Sequence, residues 1–374
     1  MKMEYIALKD VCKINMGQSP SSSSYNENED GIPFFQGNAD FGERYPVARV
    51  WCNNPTKVAN PGDILLSVRA PIGALNYAKE NCCIGRGLAA LTPNRDKVLI
   101  EYIYWVLKSK NIELNSKGTG STFKAISRKV LEETMIPDID LEGQQRCVEI
   151  LEKLYRVIQM RKKKYRCLDE LVRSRFVELF GTVENNVFNF DVKTIGEVAT
   201  LKSGTSLPSE IENEGGNVPY IKVGDMNYSG NEYYITTSSR YVTEKTAGKG
   251  IFEIGTVIFP KRGGAIGTNK KRLTTLPICA DLNVMGVTPN KSHILPSYLM
   301  AYFDLVDLGS LDNGSSVPQI NNKDIAPLRI CIPPIEIQNQ FADFVRQIDK
   351  SKFRGLSMLT TMKSAYEQQA LIYP

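Results

Sequence analysis

One unit of sequence occurs twice in this chain, and that duplication limits the folds open to it more than any single motif does. IALKDVCKINMGQSP begins at residue 6 and KTIGEVATLKSGTSLP at residue 193, which sets Gly17 against Gly204. Further landmarks recur in the same order. Pro33 in GIPFFQGNADFG answers Pro219 in GNVPYIKVGDMNYSG, and PGDILLSVRAPIG with Arg69 answers IGTVIFPKRGGAIG with Arg262. LTP at 91–93 and VTP at 287–289 each open a helix-like stretch, EYIYWVLKS and SYLMAYFDL. Gly120-Ser121 answers Gly314-Ser315, and Ile136-Pro137 and Ile332-Pro333 each lead into a long helical pattern with Gln145 set against Gln340. The offset drifts only from 186 to 196 residues, so the whole chain of 374 is one unit duplicated. Each copy is long enough for a globular domain plus an extension. Such a chain suits a target that itself has two parts.

Each copy divides into a mixed part and a helical tail. Residues 1–140 hold short β-like runs (IPFFQ, DILLSV, CCIGRGLAAL) punctuated by Gly and Pro and interrupted by a helix at 101–109; residues 182–335 repeat the mixture with VPYIKV, TVIFP and ICADLNVMGV. SSSSYNENEDG at 21–31 and SEIENEGG at 209–216 read as mobile surface loops. The segment 141–181 differs. Cys147, Leu151, Leu154, Ile158, Arg161, Tyr165, Leu168, Val172, Arg175 and Leu179 follow alternating steps of four and three, the pattern of a coiled-coil seam. At 1.5 Å per residue the helix would be a rod of roughly 58 Å, stopped by Gly181.

The second tail, 336–374, carries Phe341, Val345, Ile348, Leu356, Leu359, Met362, Tyr366 and Ala370, with a break in the heptad around Gly355. Neither stripe can be hidden alone. Packing the two tails against each other, antiparallel, is the economical solution; the other is for each to fold back on its own domain.

Chemistry is sparse. There is no GxxxxGK[ST] phosphate loop and no GxGxxG after a strand, and NNPT at 53–56 is only a weak echo of an amino-methyltransferase motif. The lone His293 reads as structural. The eight cysteines form no CxxC pair, so no zinc site of usual spacing can be assembled and no metal is expected. The second copy replaces the three-acid segment IPDIDLEGQQR with IPPIEIQNQ and so does not keep the set, which argues against a carboxylate cluster. Without an apolar N-terminal stretch or membrane span, a cytoplasmic protein with reduced thiols is expected. The net charge of +5 permits nucleic acid without requiring it.

The duplicated layout, the helix-opening IPDIDLEGQQ and IPPIEIQNQ, the PGDILLS turn and strand, and the helix-closing LDELVRSRFVELFG together resemble the specificity subunit of type I restriction-modification systems. The resemblance covers essentially the whole chain. It implies an α+β fold: two tandem, pseudo-symmetric mixed α/β target recognition domains separated by two long helices that form an antiparallel coiled coil. It further implies a non-catalytic subunit that reads a bipartite site on double-stranded DNA, one half per domain, with the coil as a ruler. Two methyltransferase subunits would dock on it and supply S-adenosylmethionine, and nuclease subunits are a further possible partner. The alternative is a coiled-coil interaction scaffold that reads no DNA.

Candidate DNA contacts follow from residue type and loop position. Arg69 and Arg262 leave matched strands; each can be bidentate to guanine, grip a phosphate, or close a salt bridge in its own domain. The Gly-Ser loops offer Ser121, Thr122 and Lys124 in one copy and Ser315, Ser316 and Gln319 in the other, each before a short helix capped by Ser127 or Asn321. Where the copies diverge within one frame, Gln36, Asn38, Asp40 and Arg44 face Lys222, Asp225, Asn227 and Tyr228. Lys261 and the run Lys270, Lys271 and Arg272 would add phosphate attraction.

Overall fold

The computed structural model describes residues 4–120, 124–311 and 317–352. They fall into two compact units, one ending at Lys162 and the other beginning at Lys163. The boundary lies inside a single helix, Leu141–Phe180, of 40 residues, so the helical segment expected at 141–181 is shared between the units. Asp140 caps its start, its carboxylate accepting from the Gly143 N–H at 2.8 Å. Gly181, at φ 65°, ends it and donates to the Val177 carbonyl.

In the first unit a four-stranded antiparallel sheet runs in the order Cys12–Met16, Leu88–Pro93, Ile64–Ser67, Leu75–Tyr77. A second sheet contains one parallel pair, Ile32–Phe35 with Cys82–Ile84. Tyr5–Ala7 pairs with Met135–Pro137 just before the long helix. The helix Ile100–Ser109 buries Tyr102, Ile103, Trp105 and Leu107 in one core with Ile64, Leu66 and Leu91.

The second unit repeats this plan. Ala199–Ser203, Val284–Pro289, Val257–Pro260 and Arg272–Thr274 form the equivalent sheet, with Tyr234–Ile235 added at its edge. Val218–Ile221 is parallel to Ile278–Ala280, and the helix is Pro296–Leu305. The runs CCIGRGLAAL and ICADLNVMGV, read as single strands, each break into two around a turn, Gly85–Gly87 in one and Asp281–Asn283 in the other.

The matched glycines have one physical cause. A Cβ at Gly17 would stand 2.2 Å from the Gly85 carbonyl oxygen, and one at Gly204 2.2 Å from that of Asp281. Each glycine N–H instead donates at 2.9 Å across the turn, to Leu88 and to Val284. Only glycine lets the two backbones approach so closely.

A second repeated device replaces the expected Gln145–Gln340 match. The working pair is Gln144 and Gln338, which are 2% and 0% exposed. Each side chain accepts from the N–H that precedes the domain's main helix, Leu99 or Leu295, at 2.8 Å. Each also donates to two carbonyls, Lys97 and Ile139 in one unit, His293 and Pro333 in the other. The glutamine thus caps a helix with no side-chain cap of its own and fastens the helix it stands on to the domain.

The seam positions Leu151, Leu154, Ile158, Tyr165, Leu168, Val172 and Leu179 are all buried or half-buried. Towards each end the stripe widens into a globular face. Val148, Cys147, Leu151 and Tyr155 join the first unit's core, and Val172, Phe176 and Phe180 the second's. Within the second unit, residues 335–352 form a helix antiparallel to the later part of Leu141–Phe180. Phe341 meets Phe176 and Phe180 at ring distances of 5.6 and 5.5 Å. At the other end the Tyr165 hydroxyl donates to the Lys352 carbonyl, and the Lys352 ammonium meets Asp169 at 2.5 Å. Phe341, Val345 and Ile348 all lie in or against that core. Leu356, Leu359, Met362 and Tyr366 lie outside the described residues.

The two segments read as mobile loops are folded onto their domains. Tyr25 stacks on Phe34 at 4.7 Å and its hydroxyl donates to the Pro20 carbonyl. In the second unit, Asn213 and Glu214 accept backbone N–H groups from Tyr241 and Thr243.

Candidate nucleic-acid interface

Backbone hydrogen bonds assemble one edge in the first unit from four separate loops. Gly85 donates to the Phe35 carbonyl and Gly87 to that of Gln36, at 2.9 and 3.2 Å. Val68 donates to Gly87, Ala70 to Lys124 and Ile126 back to Val68. Gln36, Arg86, Arg69 and Lys124 therefore stand on four chain segments laid side by side, all four exposed. None of the three cations closes an ion pair among the described residues. A row of cations that close no ion pair among the described residues, with an amide beside them on a rigid backbone frame, can grip phosphates and reach a base edge.

Arg86 belongs to this edge and escaped the sequence reading. Its signal is the Gly-Arg-Gly inside a run that looked like one continuous strand; the flanking glycines are what make the turn and expose the arginine.

The second unit builds the same ladder. Asp281 donates to Ile221, Lys261 to Asn283, Gly263 to Pro318 and Ile320 back to Lys261. Arg262 is exposed here, as Arg69 is in the first unit. The surroundings differ. Lys222 pairs with Glu212 at 2.5 Å, and Arg240 reaches Glu212 at 3.5 Å and Asp225 at 3.7 Å. Lys261 donates to Ser203 Oγ at 2.8 Å, and Lys270 to the Asn227 side-chain oxygen. Burial, and then the charge of Arg262, hold the Lys261 ammonium below its usual pKa. Gln319 donates to Asn321 at 2.9 Å. Asn227 and Tyr228 remain exposed beside this network.

Several candidates serve the fold instead of a surface. Asp225 is 1% exposed and accepts the Lys222 N–H at 2.7 Å to start a short helical turn. Lys271 is 4% exposed; its ammonium donates to the Val306 carbonyl and Asn269, and burial lowers its pKa to about 8. Arg272 donates to the carbonyls of Lys271 and Met226. Arg44 is held by Glu152 and a set of aromatic rings. All four side chains are engaged within the fold. Asn38 is half-buried in a short turn, and Asp40 pairs with Arg49 at 2.8 Å. Ser121, Thr122, Ser315 and Ser316 lie outside the described residues. The helices beyond them are capped as expected, by Ser127 accepting from Val130 and by Asp324 accepting the Asn321 N–H.

Among the described residues there is no cluster of His, Cys, Asp and Glu that could hold a metal ion, and no helix is long and apolar enough to cross a membrane.

Residues 1–169 and 189–355 match the type I restriction modification DNA specificity domain. The chain belongs to that family and carries its domain twice. A putative type I restriction enzyme MjaX specificity subunit from Methanocaldococcus jannaschii is 43% identical over 151 residues, 40% of this chain and 36% of that relative. The match thus spans about a third of the relative's length. The MjaIX specificity subunit of the same organism is 24% identical over 95% of this chain and 89% of its own. The crystal structure of a type I restriction-modification S subunit from M. genitalium superposes with a TM-score of 0.56, covering 99% of this chain and 95% of that one, at 16% identity. That likeness concerns the fold.

Proposed function

We propose that this chain is the DNA-recognition subunit of a type I restriction-modification complex and is itself non-catalytic. Each globular part reads one half of a bipartite site on duplex DNA. The helical segments set the gap between the halves and dock two methyltransferase subunits, which bring S-adenosylmethionine; a nuclease subunit can join the same assembly, in the cytoplasm. The observation that carries this reading is the repeated edge. One backbone ladder presents a strand-exit arginine twice, Arg69 and Arg262, within different loop chemistry. A common frame with divergent edges is what two different half-sites require.

The test is duplex binding by the chain assembled with its methyltransferase, at two salt concentrations. Arg69→Ala and Arg262→Ala should each weaken specific binding by about 1–3 kcal/mol, roughly ten- to a hundredfold. A base-reading arginine relaxes sequence preference in its own half-site only. A phosphate contact weakens all sequences alike and lowers the salt slope by about 1. Absence of salt-dependent duplex binding by the unaltered complex would leave the scaffold reading in place.

A further inference from the structure

The loop that begins at Gln36 on the edge ends in a clamp on the long helix. The Arg44 Nη2 reaches both oxygens of Glu152, at 2.6 and 2.8 Å, across 108 residues of sequence. The Trp105 indole N–H donates to the same carboxylate at 3.1 Å. The Arg44 guanidinium lies 4.6 Å from the Tyr155 ring centroid, 5.3 Å from Trp105 and 5.5 Å from Tyr104. Glu43, next in the loop, accepts from the Tyr155 hydroxyl at 3.2 Å. The Arg44 carbonyl accepts from Tyr77 at 2.8 Å, so the loop is also fixed to its own sheet. A planar guanidinium held between a carboxylate and three rings has one orientation, which a lysine cannot reproduce.

The second unit makes an attachment of the same kind with other chemistry. The Tyr234 hydroxyl, on the added edge strand, donates to Asp349 on the helix at 335–352. Attachment of the domain's loop region to a helix is thus a repeated design. Arg44 and Glu152 are not copies of Tyr234 and Asp349.

We propose that Arg44 is a positioning residue: the Arg44–Glu152 clamp fixes the first recognition domain on the helix and thereby restricts recognition to one gap length between the half-sites. This rests on the reading of the chain as a bipartite DNA-recognition subunit. Without the clamp the domain, still held by Gln144 and by Val148 in its core, could shift slightly on its helix and keep its base contacts, because the edge is held by the domain's own ladder. It would lose only the registration of its half-site against the other.

The experiment maps methylated sites genome-wide for the complex carrying Arg44→Lys, Arg44→Ala or Tyr155→Phe, beside the unaltered complex. Both half-sites should be unchanged in every case. Arg44→Lys and Arg44→Ala should raise methylation at sites whose gap is one base pair longer or shorter by about tenfold. Tyr155→Phe, which retains the ring over Arg44 and leaves the Arg44–Glu152 pair in place while losing only the bond to Glu43, should behave nearly as the unaltered complex does. A residue that merely stabilised the fold would lower methylation at all sites equally; a single, unshifted gap in Arg44→Lys overturns the proposal whatever happens to the rate. If the unaltered complex yields no split motif, the recognition reading itself fails, and that result is separate.

Discussion

The two units share a buried frame and differ at their edges, and the boundary between sameness and difference follows backbone proximity. Gly17 and Gly204 are both glycine because carbonyl oxygens occupy the space of a Cβ. Gln144 and Gln338 make the same three kinds of hydrogen bond because each must cap the same helix. Beyond such positions the copies part. Arg86, flanked by glycines, is replaced by Leu282 between Asp281 and Asn283. Even charge can invert: Lys108 and Asp304 occupy the same place, one residue before the end of the main helix. Burial, then the charges of Arg44 and Lys162, lower the Lys108 pKa to about 8, while burial raises that of Asp304 to about 6. The frame specifies a half-buried polar site, and each unit fills it with a different ion held towards neutrality.

The largest effect should come from the frame. Gly17→Ala and Gly204→Ala should each destabilise their own unit by more than about 3 kcal/mol, since the clash is with backbone. The two tryptophans, Trp51 and Trp105, both lie in the first unit. Denaturation followed by tryptophan fluorescence should therefore show an early transition for Gly17→Ala and an unshifted one for Gly204→Ala. Equal shifts would mean that the units unfold together and that the comparison has no energetic content.

A smaller effect, of opposite pH sense, should come from the inverted pair. The folded pKa of Lys108 lies below its ordinary 10.5, so this group adds stability as pH rises from about 8 towards 10.5. The folded pKa of Asp304 lies above its ordinary 3.8, so it adds stability as pH falls from about 6 towards 4. Lys108→Met should exceed the unaltered chain in stability by about 1–2 kcal/mol at pH 7, with the gap closing above pH 8. For Asp304→Asn the gap, of about the same size, should close below pH 6. Gaps independent of pH would show that packing, not charge burial, distinguishes the two sites.

The sequence made some of this legible and hid the rest for physical reasons. Period and punctuation are local, so the helix from Leu141 to Phe180, its stop at Gly181 and its seam could be read directly. The duplication exposed the paired Arg69 and Arg262. Burial is not local. Nothing near Lys271 announces that Val306 accepts from its ammonium, and nothing near Arg44 announces Glu152. Gln144 and Gln338 are hidden behind Gln145 and Gln340 because either pair fits the drifting offset, and only the bonds from the Leu99 and Leu295 N–H groups distinguish them. The widening of the seam to include Phe176 and Phe180 was missed because a heptad search keeps two positions in seven, whereas a helix that also closes a domain core uses more.

The most direct test of the central claim is to express the chain with the methyltransferase proposed as its partner and map methylated bases across a genome. The duplicated frame with divergent edges predicts one split motif, with two unlike halves separated by a fixed gap. A continuous motif, or two identical halves, would contradict it.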